Sequence, residues 1–518
     1  EQHSGDTFDH KLVVPNHTLF FNNDIQTIKL SDSAALSHIT SDESSINLQS
    51  VGLIFDGKQI ELNKAITATS IELIASQGTL VLGQPLLTTA GGIKIHANGD
   101  IAQNGNFTTT NGPIDVQSTH GSITQADGVT SWVNEGAGEV TYNAADSIEM
   151  SIVKAVGYDD VSIVANGSIV LKDSVTADYG KVTIVAGGGN VLQQQQASIT
   201  ISEDVVATPG DITAASSIVV QAYESEGGGD DITIVAGASI ESPYNNVQIL
   251  AGDDVKIEAG ASITAESTYG NVQILAGDDV EIEADASITA GTKIEIYGDY
   301  DNDDDEGTTI TIDGAINASL VHIAGDSEDD VITTSTLSQN GITVFEGRGG
   351  ADQLTTTGSN SVITPVVFYG DLATLTFDAT ESRLTQIVTN SSGTGGDDTI
   401  ATSAPMSIAA GGTGADSITG SDQSDWFAGD EVSLTFSADN TLNTMATDNS
   451  AEGGSDTLSV GAGNNGVIGG HAADHIVAGN GNNTILGDEG SMTLDETGEL
   501  VSATSSNASV GGVDDFSL

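Results

Sequence analysis

The sequence predicts an all-β fold: a right-handed parallel β-helix, or solenoid, over residues 46–300, followed by a second repetitive β region over residues 391–518. Three observations carry this. The stretch Asn246 to Ala265 recurs at Asn271 to Ala290, identical except where Lys256 is replaced by Glu281 and Gly260 by Asp285. Within each copy Val and Ile alternate with period two, the mark of strands with one buried face. From about residue 391, Asp or Asn returns in a phase of nine with an apolar residue two positions later.

Taken in order, residues 1–45 are read as an N-terminal cap segment. The run HKLVVPNHTLFFNNDIQTIKL is apolar but poorly periodic, and an open solenoid end needs cover against edge-to-edge pairing. Residues 46–300 follow as the parallel β-helix. In the duplicated unit, Val247 and Ile249, then Val255 and Ile257, then Ile263 and Ala265 form three short alternating strands broken at Gly252-Asp253-Asp254 and Gly260. Three strands per repeat unit describe one rung, and stacked rungs share the apolar column that a single rung cannot bury. Weaker copies open at Ile46, Ile71, Ile93, Ile114, Val140, Val161 and Val182, with spacings of 25, 22, 21, 26, 21 and 21, and Ile212, Ile232 and Ile294 carry the pattern on. An array of antiparallel sandwiches is the alternative, and one repeat unit is too short for such a domain.

Residues 301–390 are read as a continuation and transition, entered through the acidic run Gly298 to Gly307. Alternating acids there suggest a calcium loop, but the EF-hand pattern fails. Counting from Asp299, the sixth position is Asp304 instead of Gly and the twelfth is Ile310 instead of Glu. A solvated acidic turn and a single non-EF calcium site both remain open.

The segment 391–518 holds the most specific motif. Gly411, Gly412, Gly414 and Asp416 fill every defined position of the nonapeptide G-G-x-G-x-D-x-U-x, and Gly393 to Ala401 and Gly347 to Thr355 each lack only the second glycine. Asp398 and Asp416 stand two nonapeptides apart and Asp425 follows one nonapeptide later; further on, Asp456, Asn465, Asp474 and Asn483 fall at successive intervals of nine among themselves. Here the sequence resembles the repeats-in-toxin family of secreted bacterial proteins, whose nonapeptides build a calcium-loaded parallel β-roll. That resemblance implies calcium as the cofactor, with Asp398, Gly411, Gly412, Gly414, Asp416, Asp425, Asp456 and Asp474 as the metal-site residues. Calcium takes six to eight hard oxygens in flexible loops, which suits carboxylates and glycine carbonyls. Asn465 and Asn483 depart from the pattern and lose the charge. The 46–300 region is in turn similar, in rung pattern and composition, to the β-helical shafts of haemagglutinin-type adhesins.

Composition bounds the function. With 12 Lys and Arg against 74 Asp and Glu the net charge is −62, which repels nucleic acid and anionic lipid and attracts divalent cations. It equally disfavours uronic-acid polysaccharides held by general charge attraction. The absence of cysteine removes disulfides and thiol chemistry. No apolar run is long enough to span a bilayer, so no membrane insertion is expected. A chain beginning Glu1-Gln2-His3 and ending within a repeat is expected to be a piece of something longer.

Two function classes follow. The first is a non-enzymatic extracellular structural or adhesive protein of a bacterial surface or biofilm matrix, self-associating into fibres or binding a surface glycan or protein. The second is a β-helix carbohydrate-active enzyme of the lyase or epimerase type. The second calls for Arg, Lys or His beside acids. Yet residues 182–292 hold only Lys256 as a cation, Arg348 and Arg383 are the only arginines, and His96, His120 and His322 are scattered. His471 and His475 share no helical face for zinc. Catalytic residues are therefore expected to be absent, and a cluster of such groups on a groove along the rungs is the feature that would favour the enzyme.

Overall fold

A computed structural model describes residues 27–31, 45–47, 52–57 and 60–517. The exceptions are 64, 135–137, 158, 178–179, 188–190, 194–197, 202–216, 223–230, 301–306, 336–340, 358–364, 379–382, 390–394, 448–452 and 507–510. Among the described residues the structure is all-β, with no helix long and apolar enough to cross a membrane. The strands pair mainly in parallel, as successive turns of a β-solenoid. The chain divides into two compact units, Glu1–Gly252 and Asp253–Leu518.

In the first unit each turn contributes one strand to each of three sheets. On the first face Leu53, Ile71, Ile93, Ile114, Val140, Val161, Val182, Ile218 and Val247 are paired in series. All of them after Leu53 are at most 1% exposed. The second face stacks Leu80, Ile101, Ile123, Ile148 and Ile169 in the same way. β-branched side chains suit this arrangement, since an in-register pleat stacks like on like. The spacings from Ile71 to Val182 thus identify true neighbours.

Three placements differ from the sequence reading. Ile46 lies in the third-face strand Ser45–Asn47, and the neighbour of Ile71 is the later residue Leu53. Ile232 opens a second-face strand, Ile232–Ile234, and Ile218 pairs with Val182. Ile212 lies outside the described residues, as does most of the proposed cap, although its strand Thr27–Ser31 pairs in parallel with Gly52–Gly57.

In the second unit the duplicated rungs stack as the duplication implies. Val255, Ile257 and Ile263 pair with Val280, Ile282 and Ile288, all essentially inaccessible. The two differences between the copies are informative. Lys256 faces Glu281, with Nζ 2.5 Å from Oε2 and 2.9 Å from Glu283 Oε1, where perfect copies would have stacked like charges. Gly260 and Asp285 occupy the same left-handed turn, at φ +79° and +68°, a conformation that Asp tolerates better than most residues.

Among the described residues the third face ends at Ala315–Asn317. Beyond it each turn has two faces, and hairpins interrupt alternate turns. The hairpins Ala373–Phe377 with Leu384–Thr389, Val432–Phe436 with Leu442–Thr447, and Gly490–Leu494 with Leu500–Ser505 join into a six-stranded antiparallel sheet. Its apolar side, with Leu384, Ile387, Leu434, Met445 and Met492, packs on Ile342, Val367, Tyr369, Ile408, Trp426 and Ile468 of the first face. That face is therefore buried on both sides, and its strands carry continuous apolar runs such as the VVFY of Val366–Asp371.

Candidate cation-binding columns and an outer-face cavity

Two-faced turns place an aspartate at the corner before each second-face strand. The backbone N–H of Asp330 donates to Asp352 Oδ1 (2.8 Å), Asp352 to Asp398 (2.7 Å), Asp398 to Asp416 (2.8 Å), Asp416 to Asp456 (2.8 Å), Asp456 to Asp474 (3.0 Å) and Asp474 to Asp514 (3.2 Å). The result is one continuous aspartate column from Asp330 to Asp514. Each member is followed two positions later by an apolar residue, from Ile332 through Leu354, Ile400, Ile418, Leu458 and Ile476 to Phe516. The register is set by the strands Val331–Thr334, Gln353–Thr356, Thr399–Ala401, Ser417–Thr419, Thr457–Val460 and His475–Ala478.

Asp330 uses both carboxylate oxygens as backbone caps, for Thr308 N and Asp326 N, whereas the next five members use only Oδ1. Oδ2 of Asp352, Asp398, Asp416, Asp456 and Asp474 is buried with no hydrogen-bond partner. These atoms crowd against glycines at the ends of the first-face strands. A Cβ on Gly411 would stand 2.2 Å from Asp416 Oδ2 and 2.4 Å from the Gly429 carbonyl oxygen. One on Gly429 would meet Asp456 Oδ2 at 2.0 Å and the Gly469 oxygen at 2.4 Å. Carboxylate and carbonyl oxygens converge where only glycine fits.

A second row lies nearby. Asp371 Oδ2 accepts from Thr413 N (2.6 Å) and Oγ1 (2.9 Å) and sits against Gly412, which has φ +113°. Asp430 takes the same position against Gly470 and accepts from His471 N. Gly414, at φ +126°, packs on the Gly396 carbonyl.

Burial raises the column acids from Asp330 to Asp474 and both acids of the second row, Asp371 and Asp430, and neighbouring carboxylates push several further. Asp371 and Asp474 are held near 6, Asp456 near 7, Asp330 and Asp398 near 8, Asp430 near 9, and Asp352 and Asp416 near 10. In neutral water without a counter-ion, part of this array must hold protons.

The structure brings together four of the predicted aspartates, Asp398, Asp416, Asp456 and Asp474, and separates Asp425 from them. The phase of nine splits into two corners. Asp425 N donates to Asn465 Oδ1 (2.8 Å) and Asn465 Nδ2 to Asn483 Oδ1 (2.8 Å), an amide ladder at the opposite corner. Burial raises Asp425 to about 8. Sequence reasoning misses Asp330, Asp371, Asp430 and Asp514 and does not assign Asp352, although Asp352 stands sixth in the run GRGGADQLT. The Asp-x-apolar triplet is the signal that could have found the column members.

At the acidic run, Asp299, Asp326 and Glu328 each bring a carboxylate oxygen within 4.8 Å of the others. Residues 301–306 lie outside the described residues.

The histidines separate. His96 faces Asp115 (3.4 Å), His120 faces Thr119, His471 faces Glu489 (2.7 Å) and His475 faces Asp515 (3.2 Å). His322 differs. Its Nε2 lies 2.9 Å from Glu346 Oε2 and its Nδ1 3.1 Å from Tyr297 Oη, beside an open cavity of about 330 Å³ also lined by Lys293 and Arg348. Burial works against the Glu346 carboxylate, but His322, Arg348 and the Ala373 N–H outweigh it and hold Glu346 below its ordinary range. Burial raises Tyr297, as do Glu295 and Glu346. The sequence does not reveal this convergence, because its residues come from strands Lys293–Tyr297, Leu320–Ala324 and Ile342–Arg348.

No family model, no curated protein and no solved structure matches this chain.

Proposed function

We propose that the chain is a non-enzymatic structural and adhesive piece of a large bacterial extracellular or cell-surface protein, stabilised by calcium. In this reading the three-faced turns form a haemagglutinin-like shaft and the two-faced turns a repeats-in-toxin-like roll. The observation that supports it most is the aspartate column, whose buried Oδ2 atoms lack donors and face glycine carbonyls. Only protons or cations can neutralise such an array, and hard oxygens select calcium over softer metals. Asp398, Asp416, Asp456 and Asp474, with carbonyls near Gly411 and Gly412, would hold the ions. Circular dichroism and limited proteolysis of the full chain test this. Cleavage within residues 330–517 should be slow in millimolar calcium and fast in chelator, and equal rates would overturn calcium stabilisation.

One observation favours the second reading, a carbohydrate-active enzyme: Tyr297, His322, Glu346 and Arg348 meet at one cavity. The raised Tyr297 and the committed Glu346 make a poor proton-abstracting pair, so no turnover is expected. New reducing ends or unsaturated products from alginate or pectate, lost in His322→Gln, would reverse that.

A further inference from the structure

The cavity on the outer first face marks a break in the acidic register. Extending the pairing of Tyr297, Ala324 and Glu346 by two positions puts Asp299, Asp326 and Arg348 in one row, and Arg348 pairs directly with Asp371. Further along the row Gly470 pairs with Asp488. Arg348 is thus a basic residue in a row of aspartates and glycines. It also stands at φ +86°, a backbone state that costs a side-chain-bearing residue energy and suits glycine.

Among the described residues nothing uses the guanidinium fully. It lies 5.0 Å over the Tyr297 ring, and its buried Nε makes no hydrogen bond and is 3.6 Å from Glu346 Oε2. Glu346 is already committed, to Ala373 N (2.7 Å) through Oε1 and to His322 through Oε2. Glu295 is taken by Lys293 (2.7 Å). A strained arginine with donors to spare, beside an open cavity, is arranged for an anion.

We propose that this cavity binds a carboxylated sugar, a hexuronate unit of a polysaccharide, with Arg348 gripping the carboxylate. The planar fork of arginine matches a carboxylate in bidentate fashion. Leu375 and Phe377 also line the cavity and give a sugar ring an apolar surface, and Lys293, whose Nζ lies 5.8 Å from the Phe377 ring centroid, and the Tyr297 hydroxyl offer polar partners. The volume suits a short glycan segment rather than a protein. The overall charge of −62 opposes approach, but the screening length is about 8 Å at physiological salt, so the groups lining the cavity, Lys293 and Arg348 against the already engaged Glu295 and Glu346, govern the bound state. The His322–Glu346 pair then positions Tyr297 under the guanidinium.

This names a partner for the adhesive reading and rests on that reading for the choice of a glycan. The experiment is calorimetric titration of the full chain, in calcium, with trigalacturonate and with its methyl ester. The acid trimer should bind, and the ester at least about tenfold more weakly. In Arg348→Gly the acid trimer should also lose at least about tenfold, while the thermal midpoint stays equal or rises because glycine relieves the strained turn. No binding of the acid trimer, equal binding of the ester, or full binding by Arg348→Gly would overturn the proposal. Calcium-dependent protease resistance measured on the same samples separates failure of this pocket from failure of the calcium reading.

Discussion

At the residue scale the column aspartates carry opposite consequences in the two ionic conditions. Asp416 has a folded-state pKa near 10, far above its unfolded value, because burial and then Asp456 and Asp398 disfavour its charge. Without calcium, its contribution to stability is complete below the ordinary carboxylate range and is lost as pH rises toward 10. Asp416→Asn keeps the oxygen that accepts Asp398 N–H and places an amide donor near the Gly429 carbonyl. In chelator at pH 7.5 it should stabilise the second unit by about 1 kcal/mol, and in calcium destabilise it by about 1–3 kcal/mol, read from denaturant midpoints. Asn483→Ala should do less in calcium, since it removes no charge. In the first unit, Tyr142 closes a buried polar network, donating to Gln103 Oε1 (2.7 Å) and meeting Ser131 Oγ (2.5 Å). Tyr142→Phe leaves both without that partner and should cost about 1–3 kcal/mol in the same assay.

At the element scale, rungs were legible because stacking imposes an arithmetic on sequence. From Ile71 to Val182 every spacing named a real neighbour, since each turn returns the same β-branched residue to the same column. Ile46 and Ile232 misled because strands on different faces share the same Ile-x-apolar spelling, and only pairing decides the face. The antiparallel sheet was not legible. Its hairpins sit inside a stretch where the glycine–aspartate phase dominates, and the phase of nine survives only between insertions: column aspartates run 18 apart from Asp398 to Asp416 and 40 apart from Asp416 to Asp456. The hairpins matter energetically because they cover the outer side of the first face. Leu434, wholly buried against that face, anchors the middle hairpin. Leu434→Ala should destabilise the second unit by about 2–5 kcal/mol and speed proteolysis at residues 437–441, with the first unit unaffected.

At the scale of the whole molecule, the composition foretold acid but not its distribution. A charge of −62 on 518 residues suggested a solvated acidic surface. Instead, a set of carboxyls is buried in rows, most using one oxygen to cap the backbone and leaving the other for a counter-charge. The candidate site was half legible: Asp398, Asp416, Asp456 and Asp474 followed from the repeat, while Asp371 and Asp430 come from the ends of first-face strands, where no nonapeptide marks them. The cavity at Arg348 was illegible because three strands, each ordinary alone, assemble it.

If calcium neutralises the columns, and protons do so in its absence, the two conditions must answer pH in opposite ways. Thermal unfolding of the second unit in the full chain, followed from pH 4 to pH 9 in millimolar calcium and in chelator, tests this most directly. In chelator the raised acids must lose protons as pH climbs through the range from about 6 to about 10, so the midpoint should fall toward high pH. In calcium the ionised carboxylates are the stabilised form and protons compete with the ion, so the midpoint should fall toward low pH instead. Curves of opposite slope that separate at high pH and converge in the acidic range, where protons displace the ion, are the expected result. Parallel curves, with calcium shifting neither slope nor midpoint, would contradict neutralisation by calcium.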